Sequence, residues 1–170
     1  MHTHEQVEFN TILEDYNIYS IENGQILKVK QMPMEIINVT TNEGKQQVRV
    51  ALKLVSHIIT PPTIDTSGLE FANSDTITDK DHIKELVFGR IKEVSNLYET
   101  KRSVVMVEPY VTKVFLTNKK TSEGEPILRY LSQVDITLTE KRSFLRTLSL
   151  EQRNSILGER EQEDHSDNIG

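Results

Sequence analysis

The sequence predicts a mainly β protein: a duplicated antiparallel meander that forms a small β-barrel or orthogonal sandwich with pseudo-twofold symmetry, plus a C-terminal helix. Three observations predict it. A stretch of the first half recurs in the second half, apolar residues alternate with polar ones at a period of two, and turn residues punctuate the alternating runs.

The repeat is read by laying residues 6–19 over residues 85–98. Phe9, Ile12, Glu14, Asn17 and Tyr19 then fall on Phe88, Ile91, Glu93, Asn96 and Tyr98. After a one-residue gap at a turn, Ile26, Leu27, Val29 and Ile36 fall on Val104, Val105, Val107 and Val114, and further on Glu43-Gly44 meets Glu123-Gly124. Self-similarity of this kind marks a supersecondary unit used more than once, here two halves packed on each other. The alternative is one β-rich domain whose strands merely look alike. Residues 5–59 form the first repeat, 60–83 a connector, 84–139 the second repeat, 140–158 a helical segment and 159–170 an acidic, disordered tail.

Within the first repeat, Asn23-Gly24 lies between Ile18-Tyr19-Ser20-Ile21 and Ile26-Leu27-Lys28-Val29-Lys30, which predicts a hairpin with a type I′ turn. Pro33 interrupts the next run and Pro109 lies near the matching place, so a bent strand or a corner is expected in each half. Val48, Val50, Leu52 and Leu54 share one face of a strand opposite Arg49, Ala51 and Lys53. Leu128, Tyr130, Val134, Ile136 and Leu138 do the same opposite Arg129, Gln133, Asp135, Thr137 and Thr139.

The connector contains Pro61-Pro62, which cannot continue a central strand, and so crosses the surface. Residues 79–88 read two ways: a helical turn capped by Thr78 with Asp81 three residues on, or a strand by the repeat alignment. Ser149-Leu150-Glu151-Gln152 fits a capping box and Gly158 a helix stop. Phe144, Leu145, Leu148, Ile156 and Leu157 supply an apolar face that would cover an open end of the barrel. Closure of about six strands would remove the exposed edges of an open sheet.

The 170 residues, 36% apolar and 27% charged, have a soluble globular composition. With no cysteine there is no disulfide framework, thiolate metal site or cysteine nucleophile. No secretory signal or apolar run long enough to span a membrane is read, and a cytoplasmic location is expected. Of the net charge of -6, much lies in residues 159–170, where Glu159, Glu161, Glu163, Asp164 and Asp167 face only Arg160. That leaves 19 of the 20 basic and 21 of the 26 acidic residues for the body, which lacks a bulk positive field.

No phosphate-binding glycine loop or nucleophile elbow is present. His2 and His4 lie in a terminal segment, and His57, His82 and His165 are scattered. Glu14 and Glu93 occupy matched positions and could couple across a pseudo-twofold axis, although solvated or turn-capping roles are the simpler reading. No catalytic residue, cofactor or metal is assigned, and the reading leans away from an enzyme.

Two binding readings remain. In the first, the protein is a non-catalytic protein-protein interaction or assembly module, associating with itself or with a protein partner. Its contact candidates are Lys30, Glu35 and Lys45, which fall on Glu108, Lys113 and Glu125 with reversed charge. In the second, a single-stranded nucleic acid binds through Lys28, Arg49, Lys53 and Arg129, a possible but disfavoured partner. An enzyme with no recognisable motif is third.

Overall fold

A computed structural model describes residues 3–147. Expectations for His2, His165, the capping sequence at residues 149–152, Leu148, Ile156, Leu157, Gly158 and the acidic stretch lie outside the described residues.

The chain is mainly β and makes two antiparallel sheets. In sheet A the long strand β4 (Ile26–Thr40) pairs along its length with β5 (Gln46–Ile59). On its other side it takes β1 (Thr3–Val7) and β3 (Asn17–Ile21) at opposite ends. In sheet B β10 (Ser103–Lys120) is the long strand. It pairs with β11 (Pro126–Glu140) on one side, and with β7 (His82–Leu86) and β9 (Asn96–Glu99) on the other. Two short strands then cross over: β2 (Asn10–Leu13) joins β9 in sheet B, and β8 (Phe88–Lys92) joins β3 in sheet A. Each sheet therefore holds one strand from the other half of the chain.

The pairing registers coincide at the aligned residues. Asn17 opposes Val29 and Tyr19 opposes Leu27, while Asn96 opposes Val107 and Tyr98 opposes Val105. Both long hairpins also carry a bulge at one aligned position, between Pro33 and Glu35 and between Val111 and Lys113. The extra residue bends the strand. The bend is expected at Pro33, and it is there. In the second half it follows the aligned residue Thr112 and not Pro109, which pairs regularly with Val134.

Three hairpin turns share one design, and it differs from the expected type I′. Gly24, Gly44 and Gly124 have φ of +97°, +79° and +83°, and among the described residues no other residue type takes positive φ. Each turn closes with two backbone bonds, for example Gly44 N–H to Thr41 O and Thr41 N–H to Lys45 O, at 2.9 and 2.8 Å. That is a type I turn followed by a left-handed glycine. At Ile21–Gln25, Asn23 keeps negative φ and its Oδ1 accepts the Gln25 N–H at 3.0 Å, so a three-residue loop replaces the two-residue one.

Neither sheet closes into a barrel. Among the described residues β5 pairs only with β4, and β11 only with β10, so both sheets stay open along those strands. The apolar rows of the two sheets instead pack on each other. One cluster joins Tyr19, Leu27 and Val29 of sheet A to Val111, Val114 and Leu128 of sheet B. A second joins Ile36 to Tyr98, Val105 and Val107.

Between the halves, β6 (Glu70–Phe71) runs parallel to the end of β10, and two 3-10 turns follow at Ser74–Thr76 and Asp79–Asp81. Both readings of residues 79–88 hold in part: Asp81 accepts the Thr78 N–H at 2.8 Å to close one turn, and β7 begins at the next residue. The C-terminal helix α1 (Lys141–Thr147) does not cover a barrel end. Its Phe144 packs on Leu97 and Val104, with Ile12 and Met106 around it, on the face of sheet B turned away from the shared interior. Among the described residues no helix is long and apolar enough to cross a membrane.

Candidate protein interface

The strands β5 and β11 are 14 and 15 residues long, and each has one side without a partner strand among the described residues. Exposed edges are usually short, covered or guarded by charge, because their free N–H and C=O groups template pairing with another chain. Register places the even-numbered residues of both strands on the interior side, since Val50 opposes Ile36, Ile58 opposes Leu27, Tyr130 opposes Val114 and Ile136 opposes Val107. These rows are only partly covered: Leu54, Ile136 and Leu138 are 44%, 44% and 48% exposed.

The two edges flank the same interior. The Tyr130 hydroxyl lies close enough to the Ser56 side chain to feel it, Leu52 and Val134 pack on one cluster, and Val48 and Leu138 line one groove of about 860 Å³. As β5 is followed from residue 56 towards 48, its surroundings in β11 move from the region of Tyr130 towards that of Leu138. The strands pass each other in opposite directions, one in each sheet. The charges differ: β5 carries Arg49 and Lys53 and no acid, whereas β11 beyond residue 130 carries Asp135 and Glu140 and no base. Such charges also guard a lone edge against unwanted pairing.

The six charge-reversed positions correspond in register, Lys30 opposing Val55 as Glu108 opposes Asp135, and Glu35 opposing Ala51 as Lys113 opposes Leu131. Among the described residues, however, no ion pair joins one of the six to another. Lys30 pairs with Glu14 at 3.5 Å and lies over the Tyr16 ring, Glu108 accepts from Ser95 Oγ at 2.9 Å, and Lys45 pairs with Glu43 at its own hairpin tip. Glu125 occupies the other tip, where its N–H donates to Thr121 Oγ1.

Of the nucleic-acid candidates, Lys28, Arg49 and Lys53 share the outer face of sheet A, because Lys28 opposes His57, Met32 opposes Lys53 and Ile37 opposes Arg49 across one bulge. Arg129 lies in the other sheet and is held by Asp79 beside His82.

Glu14 and Glu93 have a different task. Tyr98 Oη donates to Glu14 Oε2 at 2.6 Å, and Tyr19 Oη donates to Glu93 Oε1 at 3.1 Å, so each glutamate is bound by the tyrosine of the opposite half. Burial, above all, pushes both phenols above their ordinary range, and the adjoining carboxylates push the same way. Both tyrosines therefore stay protonated and donate.

Beside them, Asn17 Oδ1 accepts the Val94 N–H at 2.7 Å and Asn96 Oδ1 accepts the Asp15 N–H at 3.0 Å. Asn17 Nδ2 donates to Pro109 O, whereas Asn96 Nδ2 is buried without a partner among the described residues. These asparagines were missed as a functional pair in the sequence. The repeated Asn-x-Tyr at 17–19 and 96–98 was the available signal. The arrangement clamps the two strand crossings and contains no nucleophile poised on a base.

No protein-family model matches the chain, and no curated protein or solved structure matches it either.

Proposed function

We propose that the protein is a non-catalytic protein-protein interaction or assembly module whose contacts are made by the edges of β5 and β11. One observation carries the reading: two long edge strands stand beside one another, each with its interior apolar row left half covered. Burial of such rows, with completion of the edge hydrogen bonds, is the physical gain that strand addition offers. The two halves are read as copies of one ancestral unit, a view supported by the coincident registers and bulges. A cytoplasmic location fits the lack of cysteine.

The absolute mass in solution, measured by light scattering at low and moderate salt, tests the reading. A defined oligomer that falls apart on Leu54→Lys or Ile136→Lys is the expected result. A monomer at every concentration, with both variants behaving like the parent in solubility and mass, would remove the edges from the function.

The outer face of sheet A supports a second reading, because Lys28, Arg49 and Lys53 share it with the Tyr16 ring beneath Lys28. Single-stranded nucleic acid on that face would bind with an affinity falling steeply with salt. No binding at low ionic strength would dispose of it.

A further inference from the structure

We infer that the partner of these edges is a second copy of this chain, and that the two copies pair reciprocally, β5 of each with β11 of the other, as a two-fold dimer. The inference rests on the assembly reading and names its partner. Because β5 and β11 border one flank of the interior and run in opposite directions, a copy turned about an axis along that flank brings its β11 beside β5 in one layer. The same rotation brings its β5 beside β11 in the other layer. Each of the two sheets then continues from one copy into the next, and the shared interior continues between them. Two-fold contacts of this kind are closed and self-complementary.

Sequence and register choose this pairing over like with like. Val50 stands to β4 as Tyr130 stands to β10, so even-numbered residues have one phase in both strands. Even opposite even lets the outward amides of both strands meet while both apolar rows stay on the interior side. Placing Lys53 opposite Asp135 in this antiparallel sense also places Val50 opposite Leu138, Leu52 opposite Ile136 and Leu54 opposite Val134. One register therefore satisfies the charge and the apolar row together. Pairing β5 with β5 would instead crowd Arg49 and Lys53 with no acid on either strand. Pairing β11 with β11 would crowd Asp135 and Glu140, and like charges facing each other are destabilising.

The absence of cysteine from the chain makes the test clean. Val55→Cys and Gln133→Cys lie opposite one another in the inferred register. Within one copy they belong to different sheets, on faces turned away from the interior, so they meet only across a dimer. Oxidation, or a short bifunctional maleimide, should yield a covalent dimer from the double variant and from a mixture of the two single variants. Neither single variant alone should yield one. Lys53→Glu should weaken the parent dimer about tenfold by replacing two opposite pairs with two like pairs, and Lys53→Glu with Asp135→Lys should restore it.

Cross-linking of Val55→Cys with itself would overturn the reciprocal pairing while leaving assembly in place. A light-scattering oligomer with no cross-link from any variant would do the same. A monomeric mass together with no cross-link would overturn both.

Discussion

Where β10 of sheet B sets Val104 and Met106 under the Phe144 ring of α1, the matching residues of β4 in sheet A are Ile26 and Lys28, and Lys28 extends over the Tyr16 ring with its ammonium 4.8 Å from the centroid. A second contrast lies at the hairpin tips. The β10–β11 tip is braced by the connector: Thr66 Oγ1 donates to Gly124 O at 2.9 Å, Lys120 Nζ donates to Thr66 O at 3.1 Å and the Ala72 N–H donates to Lys120 O at 2.9 Å. At the β4–β5 tip the corresponding backbone bonds run among Thr41, Gly44 and Lys45 themselves. The chain that follows the first hairpin returns to reinforce the second, and the chain that follows the second adds a cap to its own sheet. Matching strand registers thus fix the frame of both sheets, while the non-matching segments decide which surfaces are sealed. Among the described residues, Lys28, Arg49 and Lys53 give the outer face of sheet A a basic character, and the two edges beside it find no partner strand.

The largest way to break this contrast is to remove the cap. Phe144→Ala should cost about 3–5 kcal/mol in urea unfolding, since a buried aromatic ring leaves a cavity over Leu97 and Val104. Lys28→Ala, at the position matching Met106, should stay within about 0.5 kcal/mol, because its contacts are a solvent-facing cation and one ring. Equal losses from the two changes would mean that α1 contributes nothing to sheet B.

The tyrosine clamps sharpen the comparison further. Tyr19 Oη donates to Glu93 and also accepts from the Val111 N–H at 3.2 Å and from Asn17 Nδ2 at 3.3 Å, whereas Tyr98 Oη donates to Glu14, which Lys30 also holds. Tyr19→Phe leaves a buried backbone donor stranded and should cost about 2–3 kcal/mol. Tyr98→Phe should cost about 1–2 kcal/mol. The raised phenol values give a sign for pH: the folded state prefers the neutral phenol, so this stabilisation is whole below about pH 10 and declines as pH climbs towards the folded-state values. Alkaline unfolding curves should be less steep for either variant than for the parent. Identical losses from the two substitutions would show that the Val111 contact carries no energy.

Asn17, Tyr19, Asn96 and Tyr98 aligned because each pairs in one register and clamps one crossing, and such repeated buried geometry leaves a repeated residue pattern. Period two likewise placed Val48 to Leu54 on one face. The openness of the sheets was not legible, since alternation reports which face is inward and is silent on whether the last strand finds a neighbour. The exchange of β2 and β8 escaped for a similar reason: a four- or five-residue strand reads alike in either sheet. Asn23-Gly24 misled on turn type because the Asn-Gly pair serves both two- and three-residue loops. The reversed charges at Lys30 and Glu108 aligned correctly, yet each found a local partner, Glu14 and Ser95, which spacing along the chain does not reveal. The edge charges that bear on the interface, Lys53 and Asp135, emerge only once both strands are known to be edges.

Smaller effects belong to the tips. Gly44→Ala and Gly124→Ala force the same left-handed strain on a residue with a Cβ and should each cost about 1 kcal/mol. The two tips should part company in hydrogen exchange. Amides of the β4–β5 tip, lacking the connector's bonds, should exchange about fivefold faster than those of the β10–β11 tip, and Thr66→Ala should bring the second closer to the first. Equal protection in the parent would mean that the connector lies on the hairpin without holding it.

The smallest effect separates the two strand crossings. At one crossing Lys92 of β8 pairs with Asp15, which also accepts the Tyr16 N–H at 2.7 Å; at the matching positions of the other stand Leu13 and Val94, with no charge to pair. Lys92 first, and the Tyr16 amide next, hold the Asp15 carboxyl below its ordinary value. A depressed carboxyl stabilises the fold above the unfolded value near 3.8, and that contribution fades as pH falls through the lower folded value. Both side chains are nearly half exposed, so solvent screening keeps the contribution to at most about 0.5 kcal/mol. Asp15→Asn should therefore unfold at slightly lower urea than the parent at pH 6, with the gap closing towards pH 2. A gap that persists at pH 2 would assign the loss to the Tyr16 turn and not to the ion pair. The two crossings would then differ in side-chain chemistry without differing in electrostatic stability.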